Sequence, residues 1–403
     1  MGRLKPPQNL AICSLVDFDD WAAESPSNIG GTESVIRNLA GYLKFDKIFL
    51  IGRTSNKDAL FRENNVSDNL SILPFFYLPK TSGFPIRFLG FLEGRKISSL
   101  LKKYGVEVVY SHSEEVSAWL PRSGIPYVHH LHGYSNALLN AKRTVYRNAL
   151  FVSFWQQLRK RSVINSGKVV AIDKKTYDLS RAFGKSGHDI VFLPNFVDTS
   201  VFYRDPDYAT VEKELGIPFK NAVLFVGRIS EVKGLELFVD VIEEFNRRFD
   251  EKITGIMVGK GEYEESLRTY VIGRRLKSQI HFAGSVTNRE LLRKIYSCAK
   301  ALLLTSLFEG VPMVLLESLA CGTPALSTNV GGIPDIIVNG SNGFTVGSRD
   351  KNEFVQLLSQ LIKLRLDRED IRNSVPVTAV KAGEYLTDTL KGLATRHINP
   401  LDH

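Results

Sequence analysis

Two glutamates, Glu309 and Glu317, stand on either side of seven residues that are nearly all apolar, within the stretch FEGVPMVLLESLACGTPALSTNVGGIPD (308–335). A carboxylate inside such a run destabilises the fold unless a partner compensates its charge. One interpretation is that Glu317 accepts a hydrogen bond from a local backbone donor or an arginine. The other is that both carboxylates face a bound ligand.

Local sequence signals predict the elements that position these carboxylates. The apolar run 301–305 is typical of a buried parallel strand. Pro312 suits the first position of a helix and Gly322 the position just past its end, so we expect a buried helix from Met313 to Cys321. Ligands bind at the carboxyl ends of parallel strands, and the helix start near 311–314 suits a phosphate.

A second stretch, FVGRISEVKG (225–234), carries two cations just after a predicted strand. Gly227 and Arg228 end that strand, and Lys233 lies five residues further on. Two cations there could clamp a diphosphate and stabilise a departing anion. The alternative is that Arg228 pairs with a structural carboxylate while Lys233 is solvated.

Two N-terminal stretches carry weaker signals. NIGGTE (28–33) opens a helix, and its adjacent glycines, Gly30 and Gly31, let a ligand approach the backbone closely. The alternative is a plain flexible loop. HLHG (130–133) follows an apolar strand, where a histidine serves either in a site or in the core. Asp17-Phe-Asp19 resembles a metal-holding Asp-x-Asp tripeptide, but such a match arises easily by chance.

Composition bounds the class of protein. The 403 residues favour two domains. The three cysteines, Cys13, Cys298 and Cys321, match no metal spacing and favour a reduced, cytoplasmic setting. The N-terminus is a poor signal peptide, and no apolar run reaches the length of a membrane span. No nucleic-acid motif accompanies the net charge of +9.

The positive charge is concentrated in two stretches that look like basic amphipathic helices. Residues 142–161 carry six basic residues and no acidic one, and residues 87–103 carry five basic residues and one acid. Apolar side chains are interleaved in both stretches. They are either core residues below a solvated rim, or part of a peripheral surface that meets anionic lipid or an anionic acceptor.

Apolar strands alternate with helical patterns along the whole chain, which predicts parallel sheets covered on both faces. The predicted strands are 9–16, 47–52, 106–111, 126–131, 168–172, 189–194, 222–227, 253–258, 279–283, 301–305, 324–328 and 343–347. A division near 193–202 gives two doubly wound, Rossmann-like domains. We expect a binding cleft between them.

The order of these motifs resembles the retaining glycosyltransferases of family 4, which have the GT-B fold. The matching stretches are GGTE (30–33), HLHG (130–133), LPNFVDTSVF (193–202), FVGRISEVKG (225–234), VGKGEYEESL (258–267), HFAGSV (281–286) and SLFEGVPMVLLESLACGTPALSTNVGGIPDII (306–337). The resemblance implies an acceptor-side domain over 1–195, a nucleotide-sugar domain over 196–382, and a last helix over about 383–403 that crosses back to the first domain.

The resemblance also implies roles for individual residues. Glu317 would hold the ribose hydroxyls, Glu309 the donor sugar, and Arg228 and Lys233 the leaving diphosphate. His132 would sit near the sugar and its developing positive charge. The remaining binding positions that it implies are Gly30, Gly31, Gly227, Val286, Gly310, Val311, Met313 and Val314. Gly31 would contact the diphosphate and Val286 the base.

The implied reaction transfers a hexose, with retention, from a nucleoside-diphosphate sugar to a hydroxyl acceptor. A UDP sugar is favoured over a GDP sugar, and neither a metal nor a cofactor is expected. The acceptor is a lipid-linked or envelope glycan precursor, or a small soluble molecule. Pro312 stands where the family often has glycine, which removes one backbone donor. A sugar-nucleotide-binding protein without catalysis is the alternative, whereas the lack of a dinucleotide fingerprint disfavours a dehydrogenase.

Overall fold

The computed structural model describes residues 7–21, 30–79, 86–133 and 149–398. They form two α/β units. The first unit comprises Met1–Pro26, Thr32–Pro194 and Val380–His403, and the second comprises Ser27–Gly31 and Asn195–Ala379. Residues 142–148 of the basic stretch and 399–403 of the predicted last helix lie outside the described residues.

The first unit is built on a nine-stranded sheet. Its strands are β1 (Asn9–Asp17), β2 (Lys47–Thr54), β3 (Asn64–Asn65), β4 (Leu70–Ile72), β5 (Phe76–Tyr77), β6 (Val108–Ser111), β7 (Tyr127–Leu131), β8 (Lys168–Ala171) and β9 (Ile190–Phe192). Their order is β3-β4-β2-β1-β6-β7-β8-β9, with β5 also paired to β2. Only the β3–β4 pair is antiparallel among these described strands. The order reverses between β1 and β6, which makes the sheet doubly wound.

Helices connect the strands of the first unit. They are α1 (Gly31–Ala40), α2 (Ile86–Gly94), α3 (Ile97–Lys103), α4 (Glu114–Ser117), α5 (Ala149–Asn165) and α6 (Lys174–Ala182). Buried residues of β1, β2, β6 and α3 share one apolar core. We predicted one helix over 87–103, but α2 ends at Gly94 and α3 starts at Ile97, so that prediction was wrong. Glycine is a poor helix former, and the Trp119 ring occupies the space that a side chain at Gly94 would need.

The second unit has a six-stranded sheet that is parallel throughout its described strands. Its strands are β10 (Ala222–Val226), β11 (Thr254–Val258), β12 (Ile280–Gly284), β13 (Ala301–Leu304), β14 (Ala325–Thr328) and β15 (Gly343–Val346). The order is β12-β11-β10-β13-β14-β15, with the reversal between β10 and β13. All five residues of β10 are buried, as expected for an apolar strand covered on both faces.

The second unit's helices are α7 (Tyr208–Leu215), α8 (Leu235–Arg248), α9 (Glu264–Gly273), α10 (Arg289–Cys298), α11 (Met313–Ala320), α12 (Lys351–Lys363) and α13 (Arg368–Asn373). The last helix, α14 (Ala379–Ile398), belongs to the first unit from Val380 onward. There Gly383 lies against Tyr42, and Leu393 lies against Gly167. No described helix combines the length and the apolar character needed to cross a membrane.

The predicted fold class is confirmed, and all twelve predicted strands are present. The strands β3, β4 and β5 were missed because two or three residues are too few to show an alternating pattern. The helix predicted over Met313 to Cys321 is α11, with Pro312 as the residue before its first turn and Gly322 beyond its end at φ +75°.

Candidate active site

The loops that carry the predicted charges leave two neighbouring strands of the second sheet. Residues 227–234 follow β10 and residues 305–312 follow β13. These two strands pair in parallel at the point where the strand order reverses. Open α/β sheets bind ligands just beyond the carboxyl ends of their strands at such a reversal. The topology therefore places both predicted loops where a ligand site is expected.

Glu309 is held by two donors at this edge. Lys233 Nζ lies 2.6 Å from Glu309 Oε1, and Ser306 Oγ donates to the same oxygen at 2.6 Å. The Glu309 side chain is only 9% exposed, whereas the Lys233 side chain is 22% exposed. The carboxylate is therefore fixed in direction and compensated in charge, and Lys233 is not the solvated cation of the alternative interpretation.

Arg228 lies at the other end of the same loop and differs from Lys233 in its exposure and in its ion pairing. It is exposed. It has no ion pair with any residue in the part of the chain that the structure describes. A structural carboxylate does not hold it, so its guanidinium is available to an anion at the edge of the sheet.

Glu317 lies on α11 and receives its hydrogen bond from another helix. Tyr296 Oη, on α10, donates to Glu317 Oε2 at 3.0 Å, and both residues are buried. Burial raises the pKa of Glu317 above its ordinary value, while Arg289 and the Tyr296 hydroxyl act in the opposite direction. The hydrogen bond to Glu317 thus comes from the Tyr296 hydroxyl, and Arg289 supplies the electrostatic attraction of an arginine that the structural interpretation included.

In the first turn of α11, two backbone N–H groups have no acceptor among the described residues. Pro312 precedes the helix in an extended conformation and provides no side-chain cap. No acceptor among the described residues bonds the N–H groups of Met313 and Val314. Asn195 Nδ2 donates to the Val311 carbonyl oxygen at 2.7 Å and thereby fixes the approach to the helix. Free N–H groups at a helix start suit an anion or a sugar hydroxyl.

The other predicted binding positions lie in three different places. Gly227 lies against Gly259, since a side chain at Gly259 would meet the Gly227 carbonyl oxygen at 1.9 Å. Val286 is half-buried in the segment after β12. Gly30 and Gly31 precede or open α1, and a side chain at either would meet no atom within 4 Å. Packing among the described residues therefore does not require glycine at positions 30 and 31.

Three supporting residues escaped prediction: Ser306, which bonds Glu309; Tyr296, which bonds Glu317; and Asn195, which bonds the Val311 carbonyl. Tyr296 sits on the apolar face of α10, where it is indistinguishable from a core residue. Asn195 lies in the stretch LPNFVDTSVF, the one sequence signal that pointed toward it.

In the first unit, His132 belongs to a stack of histidines beside β6 and β7. His132 follows β7, His130 lies on it, and His112 follows β6. The ring centroids of His130 and His132 are 4.2 Å apart, with 19° between the planes. His112 Nδ1 and His132 Nε2 lie 2.8 Å apart. Burial lowers the pKa of His132 to about 4, with Glu114 acting against that shift, and burial also lowers the pKa of His112 well below its ordinary value. The His112 and His132 rings are therefore neutral near pH 7.

The stack is also the described group with ring nitrogens closest to a metal-binding spacing, within 4.8 Å of one another. Imidazole nitrogens bind a metal along directions that lie in the ring planes. Near-parallel stacked rings do not aim those directions at one point, so this geometry does not form a metal centre. Asp17 and Asp19 are also engaged locally: Asp17 lies 3.5 Å from Arg53, and Asp19 accepts from Thr54 and Ser55.

We expect Gly331→Ala to abolish most of any catalytic activity that depends on Glu309, because it displaces the loop that carries Glu309. Gly331 has φ +63°, and a side chain there would meet the Glu309 carbonyl oxygen at 2.1 Å and the Gly310 carbonyl oxygen at 2.6 Å. The matched control is Gly340→Ala, since Gly340 has φ +82° with no atom in the way. Both variants should lose about 1–2 kcal/mol of unfolding free energy from the backbone alone. Equal activity losses in the two variants would contradict the expectation.

Comparison with known proteins gives matches along most of the chain. The family model described as glycosyl transferases group 1 matches residues 209–376, and the model described as glycosyltransferase family 4 matches residues 29–201. An uncharacterised glycosyltransferase of Methanocaldococcus jannaschii is 24% identical over 86% of this chain and 88% of its own. A D-inositol 3-phosphate glycosyltransferase of Acidothermus cellulolyticus is 27% identical over 75% of this chain and 70% of its own. Anabaena HepE, solved in complex with UDP, has a TM-score of 0.70 at 16% identity, covering 96% of this chain and 100% of that one.

Proposed function

Because the chain belongs to the family 4 glycosyltransferases and has the GT-B fold, we propose that it transfers a hexose from a UDP sugar to a hydroxyl acceptor, with retention, without a metal and with release of UDP. The family acts on sugar nucleotides. The observation that carries the finer proposal is the arrangement of Lys233, Glu309 and Ser306 beside the uncapped start of α11.

The charges at this edge suit the departure of a nucleoside diphosphate. Arg228 has no carboxylate partner among the described residues, and Lys233 shares its charge with Glu309. Bound donor would place its phosphates against these cations and against the N–H groups of Met313 and Val314. Fixed cations and dipoles that face a leaving anion stabilise the transition state without a metal.

We propose that retention is reached without a covalent intermediate on Glu309. Its reactive oxygen is hydrogen-bonded to Lys233 and Ser306, each at 2.6 Å. A carboxylate held in this way is a poor nucleophile, which argues against a covalent sugar intermediate on Glu309. In our proposal the acceptor attacks the face from which the diphosphate leaves, and a leaving phosphate oxygen takes the acceptor's proton.

We assign the remaining residues to different parts of the nucleotide-sugar donor. Glu317 accepts hydrogen bonds from the ribose hydroxyls, Val286 contacts the base, and Gly30 and Gly31 give the diphosphate close access to the backbone. In our proposal His132 lies near the sugar. The UDP bound to HepE supports a uridine nucleotide over a guanosine nucleotide.

A donor panel tests the proposal. The protein is incubated with UDP, GDP and ADP sugars, and release of nucleoside diphosphate is measured with and without EDTA and with and without membranes. We expect release from a UDP sugar that EDTA does not reduce, and a product whose anomeric configuration by NMR matches that of the donor. Tight binding without release would instead support a non-catalytic binding protein. Activity lost with EDTA and restored by Mn²⁺ would favour Asp17 and Asp19 as metal ligands.

For the acceptor we propose a lipid-linked or envelope glycan precursor that the enzyme meets at an anionic membrane surface. Phe88 and Leu92 on α2 and Phe154 on α5 are each about 40% exposed. Phe91 joins the two helices, with its ring 5.4 Å from that of Phe154. We name the surface formed by these partly exposed apolar side chains the α2–α5 patch.

The charges around the α2–α5 patch divide into two sets. Arg87 and Arg159 face inward and pair with Glu114, so they hold α2, α4 and α5 together and are not available to lipid. Arg95, Lys160 and Arg161 are exposed. Each exposed basic side chain near an anionic bilayer contributes about 1 kcal/mol to binding.

We expect the protein to float with liposomes in proportion to their anionic lipid content, and less so as salt rises. The triple change of Phe88, Leu92 and Phe154 to serine should abolish flotation. The control is Ile272→Ser, because Ile272 is 52% exposed on α9 of the second unit and is not part of the patch. Folded wild-type protein that never floats would contradict the membrane proposal and leave a small soluble acceptor.

A further inference from the structure

The hydrogen bond between His112 and His132 has a consequence for the proton that His132 carries. The two ring nitrogens lie 2.8 Å apart, so one proton lies between them. A neutral imidazole has one N–H, and the nitrogen that bears it is set by the bond that the other nitrogen makes. Either His112 donates to His132, or His132 donates to His112.

The far side of the His112 ring decides between these arrangements. His112 Nε2 is buried and has no hydrogen-bond partner among the described residues. If His132 donated, the proton of His112 would have to sit on Nε2 as a buried N–H without an acceptor. Buried N–H groups without partners are rarer in native proteins than unsatisfied acceptors. His112 therefore carries its proton on Nδ1 and donates.

We infer that His112 is a positioning residue that holds His132 in the Nδ1–H tautomer, so that His132 presents a hydrogen-bond donor to an oxygen of the sugar. The role for the sugar rests on the proposed transferase function, whereas the tautomer rests on the histidine stack alone. No described residue bonds His132 Nδ1, and the His132 side chain is only partly buried, so this donor is open to a ligand.

The surroundings keep the pair neutral. Burial lowers the pKa of both residues. His132 and His129 lower that of His112 further, and His129 lowers that of His132. The other groups that act on the stack are Tyr110, which hydrogen-bonds His130 Nδ1, together with His129 and Glu114. Glu114 alone of these favours a charged His132, and two arginines already compensate its carboxylate.

A cationic His132 would oppose the positive charge that develops on the transferring sugar. The N–H of His112 occupies the lone pair on which His132 would take a second proton. Removing that donor frees the lone pair and raises the pKa of His132. The acid limb of the kcat/KM profile should then move upward by about one pH unit, which is the effect of losing one neutral hydrogen bond.

The test uses full-length protein labelled with ¹⁵N-histidine, which contains eight histidines. The signal that disappears in His132→Gln identifies His132. His112→Phe keeps a ring in the stack and removes both nitrogens, whereas His112→Asn keeps an amide N–H near the position of Nδ1. We expect an Nδ1–H pattern for His132 in the wild type and in His112→Asn, and a mixed pattern in His112→Phe.

An Nε2–H pattern for His132 in the wild type would overturn the inference, and so would an unchanged pattern in His112→Phe. Stoichiometric Zn²⁺ binding that His112→Phe abolishes would overturn it in favour of a metal site. Melting temperatures show whether each variant is folded. The NMR pattern can be measured without a sugar donor or a sugar acceptor. If the expected tautomer is found in a protein that has no transferase activity, only the proposed function is refuted.

Discussion

Lys233→Ala is expected to lower kcat by about 100-fold or more, as the loss of one preorganised charge-stabilising group does in other enzymes. Lys233 sits on the loop after β10 with its ammonium 2.6 Å from Glu309, and in our proposal it also meets the leaving diphosphate. The change removes a cation from the phosphates and leaves Glu309 with Ser306 as its remaining donor. Steady-state kinetics and thermal unfolding measure the two effects separately.

The double variant Lys233→Ala/Glu309→Gln distinguishes the two roles of Lys233. Removing one partner of a largely buried pair costs roughly 1–3 kcal/mol of stability, and neutralising the other partner should restore most of it. Affinity for the free nucleoside diphosphate should stay low in the double variant, because the phosphate still lacks its cation. Recovery of both stability and affinity would show that Lys233 serves only to compensate Glu309.

Arg228→Ala is the matched comparison. Arg228 is exposed and has no ion pair with any described residue, so its loss should leave the melting temperature unchanged. We expect kcat to fall by about 100-fold all the same. An Arg228 variant with unaltered turnover would remove that residue from the leaving-group site.

Local signals predicted the backbone of the site well. The apolar run 301–305, Pro312 and Gly322 each act through residues a few positions away, so β13 and α11 were predicted within one or two residues of their observed ends. The doubly wound order follows similarly, because a chain of buried strands and amphipathic helices has few ways to form a parallel sheet. The short edge strands β3 to β5 carry no such signal.

The partners of the site residues could not be predicted. Glu309 and Lys233 are 76 positions apart, and Asn195 and the Val311 carbonyl are 116 apart. Nothing in the two stretches shows that β10 and β13 are neighbours, which is what brings Lys233 to Glu309. The sequence therefore predicted that Glu317 needs a partner, but the Tyr296 hydroxyl that meets it comes from the tertiary packing of α10 on α11.

The second large effect is expected at Glu317, where binding and stability should move in opposite directions. Glu317→Gln removes a charged acceptor from the proposed ribose contact, which costs roughly 2–4 kcal/mol of binding. That is about a 30- to 1,000-fold rise in the Kd for UDP. Calorimetric titration with UDP alone measures it, and Glu317→Ala should bind at least as weakly.

The pH decides whether Glu317→Gln is more or less stable than the wild type. Burial raises the pKa of Glu317 in the folded protein. The stability contribution of such a group is complete below its unfolded pKa of about 4.5 and is lost as pH rises through the raised value. Glutamine never suffers this loss, so Glu317→Gln should be at least as stable as the wild type at pH 7. The advantage should disappear below the unfolded pKa. Binding of UDP to the wild type should strengthen over the same rise in pH, and binding to the glutamine variant should stay flat.

Tyr296→Phe separates the ribose contact from the packing around it. The tyrosine hydroxyl lowers the pKa of Glu317 by donating to Oε2, so its removal should raise that pKa further and move the UDP-binding profile to higher pH. Binding at a pH well above the shifted pKa should recover to near the wild-type value, because the carboxylate itself is still present. If Glu317→Gln instead binds UDP like the wild type and melts at a lower temperature, the buried carboxylate is a structural partner of Tyr296 and has no part in holding a ligand.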